Sequence, residues 1–505
     1  MRKNIIIILI LCVLSFIASA VVNTKGIKDA HMLSLLSADE SIQYPYLTHM
    51  LSGGNNLFET VKNFVSYQHY FYGYPFYVIS AASILPVRLM SGTAFAEQVQ
   101  LNLLLLRQFV SVFPMLLVIF LLVYLQTGFR DGAKSVLLFF ILITIPAVTR
   151  HNLWFWHPDA LALLGIVGSL FFLNKDQFQL GKSFTYAAIA CGLAAGIKVI
   201  GAFFFLAVLV YLWMAKKQAS LNMRQIVKKG AIFLLVFLLV FLITNPLLLI
   251  PQTRSQILKI QAQQNYFVRE GWTDEDIYQT GLTAWLPYFR EWYAHGLILI
   301  LLIISILYGI LQGKHRLMNT LLMAWIIPYS IYLIFFVAVK PFHYPLPVMV
   351  PLFSAALNLL PEKQEVETRP GAKPLKITIV ALAVFLVVTN GISSWKVYRE
   401  YYEKEDLLLA CNSAAENPAD GSTVTIPGDG WYRLEEFDLT GEQKSHSFSA
   451  VQGPLVVSAS QQSGSQAWAC RDEENAYFSA SRLAEYFKKS YPDFVVIGPD
   501  GAEIK

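Results

Sequence analysis

Residues 5–22 read IIIILILCVLSFIASAVV, an apolar run long enough to cross a bilayer as one helix. Arg2 and Lys3 precede this run, and the preference of basic residues for the cytoplasmic side predicts a cytoplasmic amino terminus. The acidic pair Asp39–Glu40 follows after a short connection. This order places two carboxylates in the first extracytoplasmic loop, close to the membrane surface. Ala18-Ser19-Ala20 also fits a signal-peptidase site, but cleavage there would leave the topology the same.

The composition is that of a membrane protein with several spans. Of the 505 residues, 55% are hydrophobic and only 14% are charged, against roughly 25% charged in soluble domains. The net charge of +5 is modest, and the basic residues lie in short connections between apolar segments. The sequence contains no nucleic-acid-binding motif, Walker motif or metal-spaced Cys/His set. We therefore expect no nucleic acid partner and no coupling to nucleotide hydrolysis.

Apolar segments of about 20 residues recur along most of the chain. They lie at 5–22, 104–126, 134–149, 159–173, 230–249, 295–311, 317–339, 344–360 and 376–395. A stretch at 184–214 is too long for one span and is interrupted at Gly196-Ile197-Lys198, so we interpret it as two. The predicted fold class is an all-α polytopic membrane protein with about eleven transmembrane helices.

The basic connections support this count, because all of them then fall on the cytoplasmic side. They are Arg130/Lys134, Lys175/Lys182, Lys216/Lys217/Arg224/Lys228/Lys229, Lys314/Arg316 and Lys363/Arg369/Lys373. Residues 72–89 could also span, but they include Pro75, Pro86 and Arg88 and are rich in Tyr. Counting them as a span, with 184–214 fused, would move several basic connections outside. We therefore expect an interfacial or re-entrant helix at 72–89.

The composition changes after the last apolar segment. We divide the chain into a transmembrane domain, 1–395, with outer loops at 23–103 and 250–294, and a small extracytoplasmic α/β domain, 396–505. The predicted strands of the second domain are 422–427, 454–459 and 493–498, and its predicted helix is 476–489. Cys411 and Cys470 lie in this domain, and an oxidising compartment would favour a disulfide between them over two free thiols.

Ionisable and aromatic residues from five separate loops converge on the predicted outer face. They are Asp39, Glu40, His69, Arg88, Arg107, the segment 150–159, Lys198, Arg254, Lys259 and the segment 340–345. Each alone has an ordinary explanation, such as a lysine that reaches lipid phosphates or a tryptophan in an interfacial belt. Ionisable groups at membrane depth are costly, and their concentration at one face indicates a functional site.

Four of these features belong together. They are the pair Asp39–Glu40 after the first span, Asp159 at the start of a later span, Lys198 in a Gly-flanked helix break, and the run HYPLPVMVP at 343–351. In this arrangement the chain resembles the polytopic GT-C glycosyltransferases, such as dolichyl-phosphate-mannose protein mannosyltransferases and bacterial lipid A aminoarabinose transferases. The resemblance covers residues 1–360. It departs from the family pattern at His343, where such proteins often carry Arg.

The resemblance implies transfer of a sugar from a polyprenyl-phosphate donor to a hydroxyl of a lipid, glycan or protein at the outer face. An inverting displacement needs one base, for which we choose Asp39, with Glu40 and Asp159 as the other catalytic acids. Cations must stabilise the leaving phosphate. The candidates for this are Lys198, Arg254, Lys259 and His343, and those for binding the rest of the substrate are His69, Arg150, His157 and Tyr344.

No cofactor is required by this chemistry, although Asp39, Glu40 and Asp159 would be the ligands if Mg²⁺ or Mn²⁺ takes part. The resemblance implies a bacterial inner or plasma membrane, with the active site and carboxyl terminus extracytoplasmic. Three other functions stay open. A transporter or flippase would need polar groups through its mid-span regions, and a polysaccharide ligase or polymerase would use a diphosphate-linked donor. A scaffold that presents the outer domain to partners would keep its function when Asp39 is replaced.

Overall fold

The computed structural model describes residues 1–25, 27–28, 30, 33, 37–219, 221–271, 278–312, 315–361, 372–416, 423–426, 446–450 and 455–459. The chain divides into two compact units. The first unit comprises residues 1–23, 46–93 and 101–398, and the second comprises 24–45, 94–100 and 399–505.

The described residues are mostly helical. The α-helices are Arg2–Asn23, Ala38–Leu51, Leu57–Val65, Tyr74–Ser91, Val99–Leu106, Phe113–Thr127, Gly132–Ile143, Pro146–Asn152, Asp159–Asp176, Lys182–Ile197, Phe205–Gln218, Met223–Ile243, Pro251–Glu270, Leu282–Trp292, Gly296–Leu311, Arg316–Phe336, Leu346–Ser354 and Ala372–Glu416. Short 3-10 helices occupy Gly92–Glu97, Val199–Phe204 and Pro246–Leu249, and a π-helical turn occupies Arg107–Val112.

Among the described residues, seven helices are long and apolar enough to cross a membrane, and up to nine spans result if each of two bent helix pairs counts as one. These helices indicate an integral membrane protein. The count of about eleven is not confirmed. Two of the predicted spans form shorter helices than a bilayer needs, because Lys182–Ile197 has 16 residues and Leu346–Ser354 has 9.

The segment 72–89 differs from its predicted role. Helix Tyr74–Ser91 continues into the 3-10 turn to Glu97, and together they meet the length and hydropathy required of a span. Its prolines do not interrupt it early, because Pro75 lies in the first helical turn, where a missing N–H is tolerated. Length and hydropathy therefore allow a span here, and the interfacial or re-entrant helix, expected from the distribution of basic connections, stays a prediction.

Small residues let three helices of the first unit approach closely. Gly165 of helix Asp159–Asp176 faces Ala194, to which a Cβ at Gly165 would come within 2.8 Å. Gly192 faces helix Met223–Ile243, where a Cβ would lie 2.8 Å from the Phe237 carbonyl oxygen. Close contact through small residues is the usual way that membrane helices pack. This close packing fixes helix Lys182–Ile197 between its two neighbours.

The described part of the tail contains an antiparallel sheet of three strands. They are β1 (Thr423–Ile426), β2 (His446–Ala450) and β3 (Leu455–Ala459), in the spatial order β1-β3-β2. Two of the predicted strands thus occur, and β2 is an addition. The predicted helix at 476–489, the strand at 493–498, the Cys411 side chain and Cys470 lie outside the described residues. The α/β domain and its disulfide stay predictions.

Candidate functional site

Asp159 is the centre of a buried polar cluster in the first unit. It is the first residue of helix Asp159–Asp176, and its side chain is 0% exposed. One carboxylate oxygen is hydrogen-bonded to Nδ1 of His157, and the other accepts a hydrogen bond of 2.6 Å from Nζ of Lys198. A carboxylate that is fully removed from water needs such partners, and here both of its oxygens have one.

Lys198 reaches Asp159 because its own helix ends just before it. Helix Lys182–Ile197 stops at an Ala-Ala-Gly-Ile sequence, and Lys198 has extended backbone angles before the 3-10 turn Val199–Phe204. The break predicted at 196–198 is therefore confirmed. The side chain of Lys198 is 13% exposed, so its ammonium group is paired with a buried acid and still has access to solvent.

His157 connects Asp159 to Tyr72. Nε2 of His157 lies 2.6 Å from the Tyr72 hydroxyl, and the imidazole stacks on Phe155 with ring centres 4.6 Å apart. The ring of His343 lies 4.6 Å from that of His157. His343 is buried, and burial holds the pKa of its imidazole well below the usual range. Within the described part of the chain, Nδ1 of His343 has no hydrogen-bond partner.

A cavity of about 490 Å³ lies beside this cluster. Nine aromatic residues and four side-chain amides line it. They are Tyr67, Tyr70, Phe71, Tyr72, Phe203, Phe241, Tyr329, Tyr332 and Tyr344, with Asn245, Gln261, Gln264 and Asn265. Lys198 is the single charged residue among the described residues that line the cavity, and its Nζ lies 5.2 Å from the centre of the Tyr344 ring. The cavity thus combines apolar walls with one cation.

The main-chain segments that carry Tyr72 and Lys198 are hydrogen-bonded to each other. The amide of Gly73 donates a 3.0 Å hydrogen bond to the Ile197 carbonyl. Asn245 supports the same junction, since its Oδ1 accepts from the Tyr74 amide and its Nδ2 donates to the Gly196 carbonyl. A Cβ at Gly73 would lie 1.6 Å from the Gly196 oxygen, so the approach requires glycine. This junction sets the separation of the two side chains at the cavity.

The cluster also offers donor atoms that a metal ion could use. Ligand atoms of His157, Asp159 and His343 lie within 4.8 Å of one another, and a His/Asp/His set suits a transition metal. In the observed arrangement, however, His157 Nδ1 is bonded to Asp159, and the Lys198 ammonium contacts the other oxygen of the same carboxylate. A divalent ion would adjoin this fixed positive charge. The residues as arranged do not fit a metal centre.

Asp39 and Glu40 belong to the second unit, whereas Asp159 belongs to the first. Both acids lie in the first turn of helix Ala38–Leu51, where carboxylates are stabilised by the helix dipole. Glu40 is fully buried, and Asp39 is partly exposed. The predicted grouping of these two acids with Asp159, whether for catalysis or for a shared metal, stays a prediction.

The remaining predicted site residues have diverse surroundings. His69 is bonded to the Tyr77 hydroxyl, and burial together with nearby His157 lowers its pKa to about 4. The Arg150 guanidinium lies 4.6 Å from the Trp292 ring and 4.8 Å from the Phe342 ring. Arg254 and Lys259 are exposed on helix Pro251–Glu270 and are not among the residues that line the cavity. Their predicted contact with phosphate stays a prediction.

Sequence reasoning missed three residues of this site: Tyr72, Gly73 and Asn245. A usable signal exists for each of them. Tyr72 and Gly73 lie in the run His-Tyr-Phe-Tyr-Gly-Tyr-Pro at 69–75, which pairs hydroxyls with turn residues. Asn245 precedes Pro246 directly after a long apolar run, a position where an amide can bond main-chain groups at a helix end.

No family model matches this chain, and no curated protein matches it. Among solved structures, it is similar to the archaeal oligosaccharyltransferase AglB from Archaeoglobus fulgidus in complex with an inhibitory peptide and a dolichol-phosphate. That match has a TM-score of 0.47 and 13% identity, and it covers 81% of this chain and 58% of the other. This chain therefore spans less than two thirds of AglB.

A second similar structure is ArnT from Cupriavidus metallidurans. Bound to undecaprenyl phosphate, it matches with a TM-score of 0.47, 10% identity and coverage of 85% of this chain and 83% of the other. In the apo state the TM-score is 0.48 and the identity 12%. AglB and ArnT are GT-C membrane glycosyltransferases, the superfamily that the sequence resembles. At these TM-scores and identities the likeness decides neither the fold nor the activity of this chain.

Proposed function

We propose that this protein transfers a sugar from a polyprenyl-phosphate donor to an acceptor hydroxyl at the extracytoplasmic face of the membrane. One observation carries the proposal: a cation anchored to a buried carboxylate lies on the wall of an aromatic cavity in a chain of apolar helices. Lys198 is that cation, and Asp159 is its anchor at 2.6 Å. A ligand that suits both features has an anionic group joined to an apolar chain.

The cavity chemistry fits each part of such a donor. Its aromatic wall can cover an isoprenoid chain and can also stack on the apolar face of a sugar ring. Gln261, Gln264 and Asn265 offer amides that can hydrogen-bond sugar hydroxyls. Lys198 can bind a phosphate oxygen in surroundings of low dielectric constant, where its charge has more effect than in water.

The reaction is a single displacement. The acceptor hydroxyl oxygen attacks the anomeric carbon through an oxocarbenium-like state, and its proton passes to a carboxylate. The bond between the anomeric carbon and the phosphate oxygen breaks, and its electron pair stays on the phosphate. Negative charge on the phosphate increases as it leaves, and the Lys198 ammonium offsets that increase. We assign no step to a metal ion.

Asp39 is the proposed base, on chemical grounds and on its position in the sequence after the first span. Glu40, which is buried beside it, is proposed to orient the reacting groups. Arg254 and Lys259 remain further candidates for phosphate, and His69, Arg150 and Tyr344 for the rest of the substrate. The proposed topology has Asp39, Asp159 and His343 outside. Membrane-impermeant labelling of cysteines introduced near positions 45 and 160 in intact cells tests it, and labelling only after permeabilisation would contradict it.

The function is tested by supplying membranes with radiolabelled polyprenyl-phosphate hexoses and following the label into lipid, glycan and protein fractions. Asp39→Asn should lower transfer by roughly 10²–10⁴-fold, because the amide cannot accept a proton. Glu40→Gln, the neighbouring neutralisation, should reduce transfer less. Near-normal transfer by Asp39→Asn would remove the proposed base. Movement of intact labelled lipid across the membrane without transfer would instead indicate a flippase.

A further inference from the structure

Asp159 has no direct route to a substrate. Its side chain is 0% exposed, it is not among the residues that line the cavity, and its two oxygens are bonded to His157 and Lys198. A carboxylate in this position cannot take a proton from an acceptor in the cavity without releasing one of these partners. Its effect on a ligand must pass through the residues that it holds.

Both residues at the ends of this chain of contacts line the same cavity. Lys198 is bonded to Asp159 directly, whereas Tyr72 is connected to it through His157, with 2.6 Å between the Tyr72 hydroxyl and His157 Nε2. One buried acid therefore fixes two hydrogen-bond donors of the cavity wall. The junction between Gly73 and Ile197 fixes the same two residues through the main chain.

The donors suit a single anionic phosphate. An ammonium group has three N–H donors, and a phenol hydroxyl can accept one hydrogen bond while it donates another. The Asp159 carboxylate only accepts, so His157 donates to it from Nδ1. A Tyr72 hydroxyl hydrogen that is turned toward the cavity can bond an anion, and the Lys198 ammonium supplies one positive charge there.

We infer that Asp159 is a positioning residue that directs Lys198 and, through His157, Tyr72 at the phosphate of a lipid with a single phosphate group. This inference rests on the proposed function for the identity of the cavity as the donor site. It assigns to Tyr72 a ligand contact and removes Asp159 from the groups that contact substrate. It also favours a monophosphate over a diphosphate, because the described lining offers Lys198 as its one charged group.

The experiment measures binding of a polyprenyl monophosphate to the purified full chain, without turnover. Tyr72→Phe should weaken binding roughly tenfold or more, as expected for one hydrogen bond to a charged group, and Lys198→Met should weaken it further. The matched control is Tyr211→Phe, which removes a hydroxyl that is hydrogen-bonded to the buried Asp176 at 2.6 Å. Equal weakening by the control would show that the loss is structural and would overturn the inference.

The role of Asp159 is tested by a double-mutant cycle. Asp159→Asn should weaken binding, and adding Tyr72→Phe to it should then have little further effect, because Asp159 acts through Tyr72. Additive losses would contradict a positioning role. A thermal unfolding transition like that of the wild type shows that each variant is folded. If Asp159→Asn does not fold, His157→Gln replaces it, because this change interrupts the same connection between Asp159 and Tyr72.

Three further ligands separate the site from the function. A polyprenyl diphosphate and inorganic phosphate should each bind more weakly than the polyprenyl monophosphate, and the uncharged polyprenol should bind without sensitivity to Tyr72→Phe. If the diphosphate binds better, the assigned ligand class is wrong. Failure of sugar transfer with intact, Tyr72-dependent binding would reject the proposed function and leave this site standing. Sugar transfer with binding that does not depend on Tyr72 would support the proposed function and reject this site.

Discussion

The two ends of helix Asp159–Asp176 each bury an aspartate, but they satisfy it differently. At the first end, Asp159 is bonded to His157 and Lys198, which are ionisable side chains. At the other end, Asp176 accepts hydrogen bonds from the main-chain amides of Leu180 and Gly181 at 2.8 and 2.9 Å and from the Tyr211 hydroxyl at 2.6 Å. The helix has 18 residues, so 17 rises of about 1.5 Å place its first and last residues about 26 Å apart.

We propose that this difference separates a structural acid from a functional one. Asp176 is satisfied by main-chain amides of the turn that follows its own helix and by the Tyr211 hydroxyl of helix Phe205–Gln218, and the amide bonds fix the path of that turn. Asp159 instead holds Lys198, which lines the cavity, and His157, which connects it to Tyr72 of the cavity wall. Burial alone therefore does not identify the site, since Asp176 is only 3% exposed. The chemistry of the partners identifies it.

The largest expected effect compares Asp159→Asn with Asp176→Asn. The first change leaves Lys198 without its buried counter-charge, and loss of one partner from a buried pair costs about 3–5 kcal/mol. Lys198 also loses the group that positions it at the leaving phosphate, so we expect sugar transfer per folded molecule to fall by roughly 10²-fold. Asp176→Asn keeps one oxygen for the amides, so it should lower the free energy of unfolding by about 1–3 kcal/mol. Its transfer rate per folded molecule should stay normal.

The measurement is transfer rate normalised to the folded fraction, together with thermal unfolding in the same detergent. The comparison between the two ends fails if Asp176→Asn loses transfer in proportion to Asp159→Asn, because both acids would then support the site. It also fails if Asp159→Asn changes only stability.

A smaller effect concerns acid. The pKa of His69 in the folded protein is about 4, whereas the imidazole of the unfolded chain takes up its proton near pH 6.5. The unfolded state therefore binds more protons between these values, so the stability that neutral His69 provides above pH 6.5 is lost as the pH falls toward 4. The loss is on the order of 3 kcal/mol at its full extent, at about 1.4 kcal/mol per unit.

This pH dependence is checked by thermal unfolding of the wild type and His69→Gln across pH 7 to 4.5. The variant, which has no proton to gain there, should show a shallower decline than the wild type. His49→Gln is the control, since His49 is exposed on helix Ala38–Leu51. Parallel declines for all three proteins would mean that His69 does not cause the acid sensitivity.

The sequence predicts the individual charged residues of the site better than their partners. A lysine between glycines inside an apolar run must end the helix or leave the bilayer, so the break at Lys198 is predictable. Asp159 is also predictable, because an acid at the first position of an apolar helix is costly at membrane depth and therefore indicates a function. Their pairing is not, since 39 residues separate them and no local pattern encodes the contact.

Tyr72 was missed for a related reason. It is 85 residues from His157, and a hydroxyl in a tyrosine-rich run has no charge that would single it out. The count of about eleven spans is not confirmed, because hydropathy alone assigns a span to 344–360, whereas the described helix there is Leu346–Ser354. Polar residues and prolines set the ends of such helices, and their effect depends on tertiary contacts.

The smallest expected effect concerns the end of helix Asp159–Asp176 at which Asp176 lies. Nζ of Lys229 donates a 2.7 Å hydrogen bond to the Leu180 carbonyl, in the same turn whose amides bond Asp176. Lys229→Met keeps most of the side-chain length and removes one partly exposed hydrogen bond, which should lower the free energy of unfolding by about 1 kcal/mol or less. Thermal unfolding measures this, and transfer should not change. If Lys229→Met impaired transfer as Lys198→Met should, a lysine at either end of the helix would serve the site, and the partner-based distinction between Asp159 and Asp176 would be wrong.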